Sequence, residues 1–225
     1  VKLVLWDVDF TLVDTTGQGR QAFEEAFQAV VGRPPEGMVP FAGFTDHQIA
    51  VAMLEKAGHQ HGDHVPRMLD ELATALAARA EDIRESGRAL PGAREALEAL
   101  AAHDDVISSL LTGNVEANAA LKLAAFDLDS LVDLEVGGYG SDPHGSRGDL
   151  VAIARERAAA KYGSEPSDTV LIGDTPRDIQ AAQDGGARAI GVASGPYEVD
   201  DLGEADHVLP DLRDTAALLD AVGLR

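Results

Sequence analysis

The sequence predicts an α/β fold with a parallel sheet that carries an all-helical insertion, and two observations lead there. Short apolar runs alternate with amphipathic helical stretches through most of the chain, which is the pattern of βαβ crossovers. That rhythm fails in one place only. Between the first apolar run and the second, the sequence offers helical periodicity and no convincing strand.

The apolar runs are Lys2 to Trp6, Val106 to Leu111, Val132 to Val136, Thr169 to Ile172, Ala189 to Val192 and His207 to Leu209. Helix-like segments at 115–125, 148–162, 176–184 and 212–222 separate or follow the later runs. Within the interruption, Phe23, Ala26, Phe27 and Val30 share one face of a first helix. Val65, Leu69, Leu72, Leu76 and Ile83 mark a longer one. Pro34-Pro35 and the stretch from Gly58 to Gly62 punctuate the segment. The insertion is therefore placed at 15–88, entered near Thr15-Thr16-Gly17 and left near Gly87 to Gly92, with 1–14 and 89–225 forming the core domain.

Composition narrows the function classes. Of 225 residues, 39 are acidic and 18 basic, a net charge of −21, with the acids scattered through helical stretches. A nucleic-acid partner is not expected, because binding a phosphate backbone needs a basic face. Without cysteine there is no disulfide framework, thiolate metal site or cysteine nucleophile. No apolar run approaches the roughly 20 residues of a membrane-spanning helix, and the first residues do not read as a signal peptide. A cytoplasmic location with no membrane association is the default expectation.

Three apolar runs end in groups suited to phosphoryl chemistry. The first leads into Asp7-Val8-Asp9-Phe10-Thr11-Leu12, the second into Leu111-Thr112-Gly113-Asn114, and the fourth into Gly173-Asp174-Thr175-Pro176-Arg177-Asp178. A lone acid after a strand is ordinarily a helix cap or a turn former. Three such groups at the carboxyl ends of parallel strands, where open sheets bind ligands, carry more weight. Asp7 and Asp9 alternate along an extended backbone, so both can face one substrate. Clustered carboxylates would repel a phosphate unless a divalent cation neutralised them, and hard oxygen ligands suit Mg²⁺.

This set resembles the haloacid dehalogenase superfamily. Its first motif, DxDx[TV], is matched at 7–11, its second, a Thr or Ser ending a strand, by Thr112, and its fourth, GDxxxD, by Gly173, Asp174 and Asp178. The helical insertion lies where the superfamily places its first type of cap, and Gly43-Phe44-Thr45-Asp46 followed by Ile49 is similar to the cap of phosphoglycolate-phosphatase-like members. The resemblance implies a Rossmann-like parallel-sheet core and a Mg²⁺-dependent phosphatase of small phosphorylated metabolites. Asp7 would be the nucleophile that takes the phosphoryl group, and Asp9 the acid and base. The metal would be held by the Asp7 carboxylate, the Asp9 main-chain carbonyl and Asp174, with Asp178 as a further ligand or an orienting residue. Thr112, Gly113 and Asn114 would bind phosphate.

The superfamily's third motif is a cation, and two residues compete for it. Arg147 opens the helix-like segment at 148–162, whereas Lys161 sits near its far end; the two lie about 20 Å apart on an uninterrupted helix, so only one reaches the phosphate. Arg147 is favoured. Two further readings stay open: a sugar-phosphate mutase on the same fold, and a binding module that has lost turnover. The cap histidines His47, His59, His61 and His64 are expected to sit in or near a solvated loop.

Overall fold

The computed structural model describes residues 1–224. Its sheet has six parallel strands in the order β5-β4-β1-β6-β7-β8. The central three are β1 (Lys2–Trp6), β4 (Val106–Thr112) and β6 (Asp168–Gly173). The outer three are β5 (Gly138–Tyr139), β7 (Arg188–Val192) and β8 (His207–Leu209). β1 lies between β4 and β6, with Lys2 opposite both Val106 and Asp168 and Trp6 opposite both Leu110 and Ile172. The carboxyl ends of the three strands that carry the motifs are therefore neighbours.

Both faces of β1 are covered, which is why it reads as an unbroken apolar run. Leu3 and Leu5 pack with Leu150 and Val151 of α7 (Asp149–Tyr162) and Ile179 of α8 (Pro176–Asp184). Val4 and Trp6 face the other way, toward Leu97 and Leu100 of α5 (Ala93–Ala101) and Leu218 of α9 (Thr215–Val222). The period of two along the strand sorts these residues between the two layers.

Residues 15–88, between β1 and α5, hold four helices with a core of their own. They are α1 (Gln18–Val31), α2 (Asp46–Lys56), α3 (His64–Ala78) and α4 (Ala80–Ser86). Phe23 and Phe27 of α1, Leu54 of α2, and Met68, Leu72 and Leu76 of α3 form that core. It also touches Leu121 and Ala125 at the end of α6 (Glu116–Ala124). A short antiparallel ribbon, β2 (Val13–Asp14) with β3 (Arg88–Ala89), ties together the two chain crossings.

Two expectations are corrected here. The run Val132 to Val136 is not a strand: a 3₁₀ turn occupies Leu134–Val136, and the edge strand is Gly138–Tyr139. Asp133 starts that turn by accepting from the Glu135 N–H. Gly138 lets the strand pass under α7, since a Cβ there would lie 2.5 Å from the Leu150 carbonyl oxygen. The long helix expected through Ile83 breaks at Arg79, which reaches back to Gln18, Gln21 and Glu25 of α1.

Candidate active site

Asp7 follows β1 directly, and its N–H donates to the Ile172 carbonyl on β6 at 2.9 Å, so the neighbouring strand fixes its backbone. Asp174 follows β6. Asp178 occupies the first turn of α8, where Thr175 and Asp178 form a reciprocal cap. Asp7, Asp174 and Asp178 are all buried, and each offers a carboxylate oxygen within 4.8 Å of the others. Among the described residues this is the one group of three or more potential metal ligands, and no cap histidine belongs to it. His61 instead lies 3.0 Å from Glu55 in an exposed pair.

One cation enters this acidic cluster. The Arg147 guanidinium lies 2.9 Å from Asp7 Oδ1 and also bonds Asp178 Oδ1, and its side chain is buried. Lys161 is elsewhere, paired with Asp133 and Glu135 on the surface. A single guanidinium does not neutralise three carboxylates. Burial, then the neighbouring Asp178 charge, pushes Asp7 up to about 7 despite the pull of Arg147. Burial, then Asp7 and Asp178, pushes Asp174 up to about 9.

The second acid of the first motif does not belong to this cluster. Both oxygens of Asp9 are held by Lys122 Nζ, at 2.8 and 2.6 Å, and Oδ2 also accepts from Asn114 Nδ2 at 2.8 Å. Lys122 is only 5% exposed and reaches Asn114 Oδ1 as well, at 2.6 Å. Asn114 completes the chain by donating to Thr112 Oγ1 at 2.8 Å. Thr112, at the end of β4, accepts that bond and keeps its own hydroxyl proton to donate.

The helical segment closes over these residues through one loop. Asp46 N–H donates to the Gly113 carbonyl at 2.7 Å, and Val115 N–H donates to Asp46 Oδ2 at 2.8 Å. A Cβ on Gly113 would lie 2.4 Å from the Phe44 carbonyl oxygen, so only glycine permits this approach. Arg177 stacks on the Phe44 ring with its guanidinium 3.8 Å from the centroid, lying across Gly43, whose φ is +70. A cavity of about 680 Å³ remains between loop and sheet, bordered by Asp7, Asp9, Thr112, Asn114, Arg147 and Asp174.

The structure thus gathers Asp7, Asp9, Thr112, Gly113, Asn114, Arg147 and Asp174 around one cavity, sets Asp178 behind them on Arg147 and Thr175, and leaves Lys161 outside. Lys122, Asp46 and Arg177 were missed as members of this neighbourhood. Lys122 had a signal: it falls on the buried face of α6 with Asn118, Ala119 and Leu123, where an unpaired lysine would be costly.

A sequence profile for haloacid dehalogenase-like hydrolases matches residues 4–183. The chain belongs to that family. This haloacid dehalogenase-like hydrolase is 30% identical over 215 residues to "Probable phosphatase IndB" of Dickeya dadantii, spanning 91% of this chain and 86% of that one. It is similar to a hydrolase from Pseudomonas syringae, with 25% identity, a TM-score of 0.69 and coverage of 97% of each chain. The β-phosphoglucomutase of Clostridium difficile shares the fold, at a TM-score of 0.72 and 14% identity over 99% of this chain and 97% of that one. Among the described residues, no helix is long and apolar enough to cross a membrane.

Proposed function

We propose that this hydrolase is a divalent-metal-dependent phosphatase that cleaves a small phosphomonoester through an aspartyl-phosphate on Asp7. The observation that carries the reading is the buried triad of Asp7, Asp174 and Asp178 at adjacent strand ends, only partly compensated by Arg147. The resemblance of 91% of the chain to a protein named "Probable phosphatase IndB" supports it.

The residues fit a cation. Asp174 Oδ2 is buried and has no hydrogen-bond partner, a costly state for a carboxylate oxygen unless something positive meets it. A Cβ on Gly195 would lie 1.9 Å from that same oxygen, so the glycine keeps the approach to it open. Asp7 and Asp174 would hold Mg²⁺, joined by the Asp9 main chain, whose side chain is committed to Lys122 and Asn114. Asp178 is better placed to orient than to ligate. Arg147 takes its Oδ1, while Thr175 N–H and Oγ1–H donate to its Oδ2 at 3.0 and 2.7 Å. When bound, the metal supplies positive charge that lets an anionic substrate approach the carboxylates.

The chain's own residues then divide the work. A carboxylate oxygen of Asp7 attacks phosphorus, the bond from phosphorus to the ester oxygen breaks, and Asp9, protonated in the substrate complex in place of one of its Lys122 bonds, gives that proton to the departing oxygen. Asp9 next takes a proton from water, the water oxygen attacks phosphorus, and the bond to Asp7 breaks. Arg147 and the Thr112 hydroxyl bind phosphoryl oxygens as charge shifts onto them. Helices 18–86 act as a cap that closes the cavity through the loop at 43–46.

The test is phosphate release from a broad phosphomonoester panel with Mg²⁺, with EDTA, and with Asp7→Asn protein. Release that needs metal and is lost in Asp7→Asn is expected. Steady-state turnover retained by Asp7→Asn would overturn the covalent route.

A further inference from the structure

Phe10 bears two unfavourable features at once. Its φ is 59, in the left-handed region where a bulky side chain is an outlier, and the residue is 46% exposed. The turn is held in that state from both sides. Phe10 N–H donates to the Val13 carbonyl at 2.8 Å, and the Ser194 hydroxyl donates to the Phe10 carbonyl at 2.7 Å. Glycine would remove the strain and a polar residue would suit the exposure, yet the chain has neither. Strain that persists beside a reactive centre points to a use there. The ring borders the same cavity as Asp7 and Asp9.

The part of the cavity away from the carboxylates has the same character. Phe23, Phe41 and Phe44 border it too, so four of the chain's six phenylalanines meet one space. Phe23 and Phe41 stand edge to face at 5.2 Å, and the Arg20 guanidinium lies 5.3 Å over the Phe41 ring. Other charged side chains on this side are engaged: Asp14 pairs with Arg88 at 2.6 Å, and Asp46 accepts from Val115. A hydroxyl-rich leaving group would need several free hydrogen-bonding side chains here, because its polar groups would otherwise be buried unpaired. Flat apolar walls, with a guanidinium stacked on one of them, suit a planar ring instead.

We infer that the ester's leaving group is an aromatic ring system, and that Phe10 selects it by direct ring contact. This rests on the phosphatase reading above and adds the substrate class to it. The ring meets Phe10 at the mouth of the cavity and the Phe41 and Phe44 side within, while the phosphate end lies against Asp7.

The test compares benzyl phosphate with glycerol 3-phosphate, both esters of primary alcohols, using acetyl phosphate as a ring-free control. In the wild-type protein kcat/KM for benzyl phosphate should exceed that for glycerol 3-phosphate by roughly 30-fold or more. Phe10→Gly should cut that ratio by about tenfold or more without lowering Tm, since glycine accepts the left-handed turn, and Phe10→Tyr should retain the ratio. A wild-type ratio near unity, or a ratio unchanged by Phe10→Gly, would overturn the inference. Hydrolysis of acetyl phosphate in that same case would leave the phosphatase reading standing, whereas no release even from acetyl phosphate would sink both.

Discussion

Lys122 holds both carboxylate oxygens of Asp9, at 2.8 and 2.6 Å, from a helix that follows the second motif. The contact fixes the side chain proposed to move the proton, and it does so from a lysine that is 5% exposed. Lys122→Met should lower kcat by about tenfold or more, because a mispositioned acid loses much of its effect. Stability should fall by on the order of 2 kcal/mol, less than for a fully buried pair because the Asp9 side chain is 36% exposed. Adding Asp9→Asn to Lys122→Met should cost less than the sum of the two single changes. Additive losses would show that the two residues act independently.

Arg147 and Lys161 sit near opposite ends of the same helical stretch but in different surroundings. Among the described residues, Arg147 is the one basic side chain bonded to the buried triad, whereas Lys161 serves Asp133 and Glu135 at the surface. Arg147→Ala should cut kcat/KM by about tenfold or more through loss of phosphate and nucleophile contacts. Lys161→Ala should leave kcat/KM nearly unchanged. The reverse ranking would show that the phosphate-side cation has been misassigned.

The core strands were legible because burial on both faces writes itself as an apolar run, as at Lys2 to Trp6. The motif residues were legible because strand ends bring them together whatever the rest of the chain does. Val132 to Val136 deceived because the Asp133 side chain starts a 3₁₀ turn that apolar content does not reveal. The capping box of Thr45 and Gln48, which starts α2, was present in the sequence but went unread. Spacing on α6 marks Lys122 as buried, but that its partner is Asp9, or that Arg177 meets Phe44, depends on how distant segments pack.

Asp46 offers a pH test of the contact between cap loop and core. Burial pushes its carboxyl up to about 6, against the pull of Lys122 and the Val115 N–H, from an ordinary value of 3.8. The charges and dipoles facing it are those of Lys122, Asp9, Asn118 and Val115. Between those two values the folded chain keeps a proton that the unfolded chain has released, so stability falls as pH rises and levels off above about 6. The full effect is about 3 kcal/mol at most. Asp46→Asn keeps an acceptor for Val115 and carries no charge. In urea unfolding it should match the wild type near pH 4 and exceed it at pH 7.5 by on the order of 1–3 kcal/mol. A less stable variant at pH 7.5 would mean that attraction to Lys122 outweighs burial.

Metal binding should be coupled to proton release. In the chain without a cation, Asp7 and Asp174 are both pushed well above the ordinary carboxylate range, first by burial and then by neighbouring carboxylates. Stability of the metal-free fold therefore falls as pH rises from about 4 toward the raised pKa values, because the unfolded chain has already given up the protons the fold retains. A divalent cation reverses the sign. It binds the ionised carboxylates, displaces their protons, and so binds more tightly as pH increases. Calorimetric titration of Mg²⁺ in two buffers of different ionisation enthalpy at pH 7.5 should show net proton release. Affinity should rise by about tenfold or more between pH 6.5 and pH 8.5. Asp174→Asn should abolish both the binding and the release, while Asp178→Asn should weaken binding and reduce the protons displaced, because the Asp178 charge helps to keep Asp7 and Asp174 protonated in the metal-free fold. Mg²⁺ affinity that is independent of pH, with no proton released, would mean that the cation does not enter the buried triad.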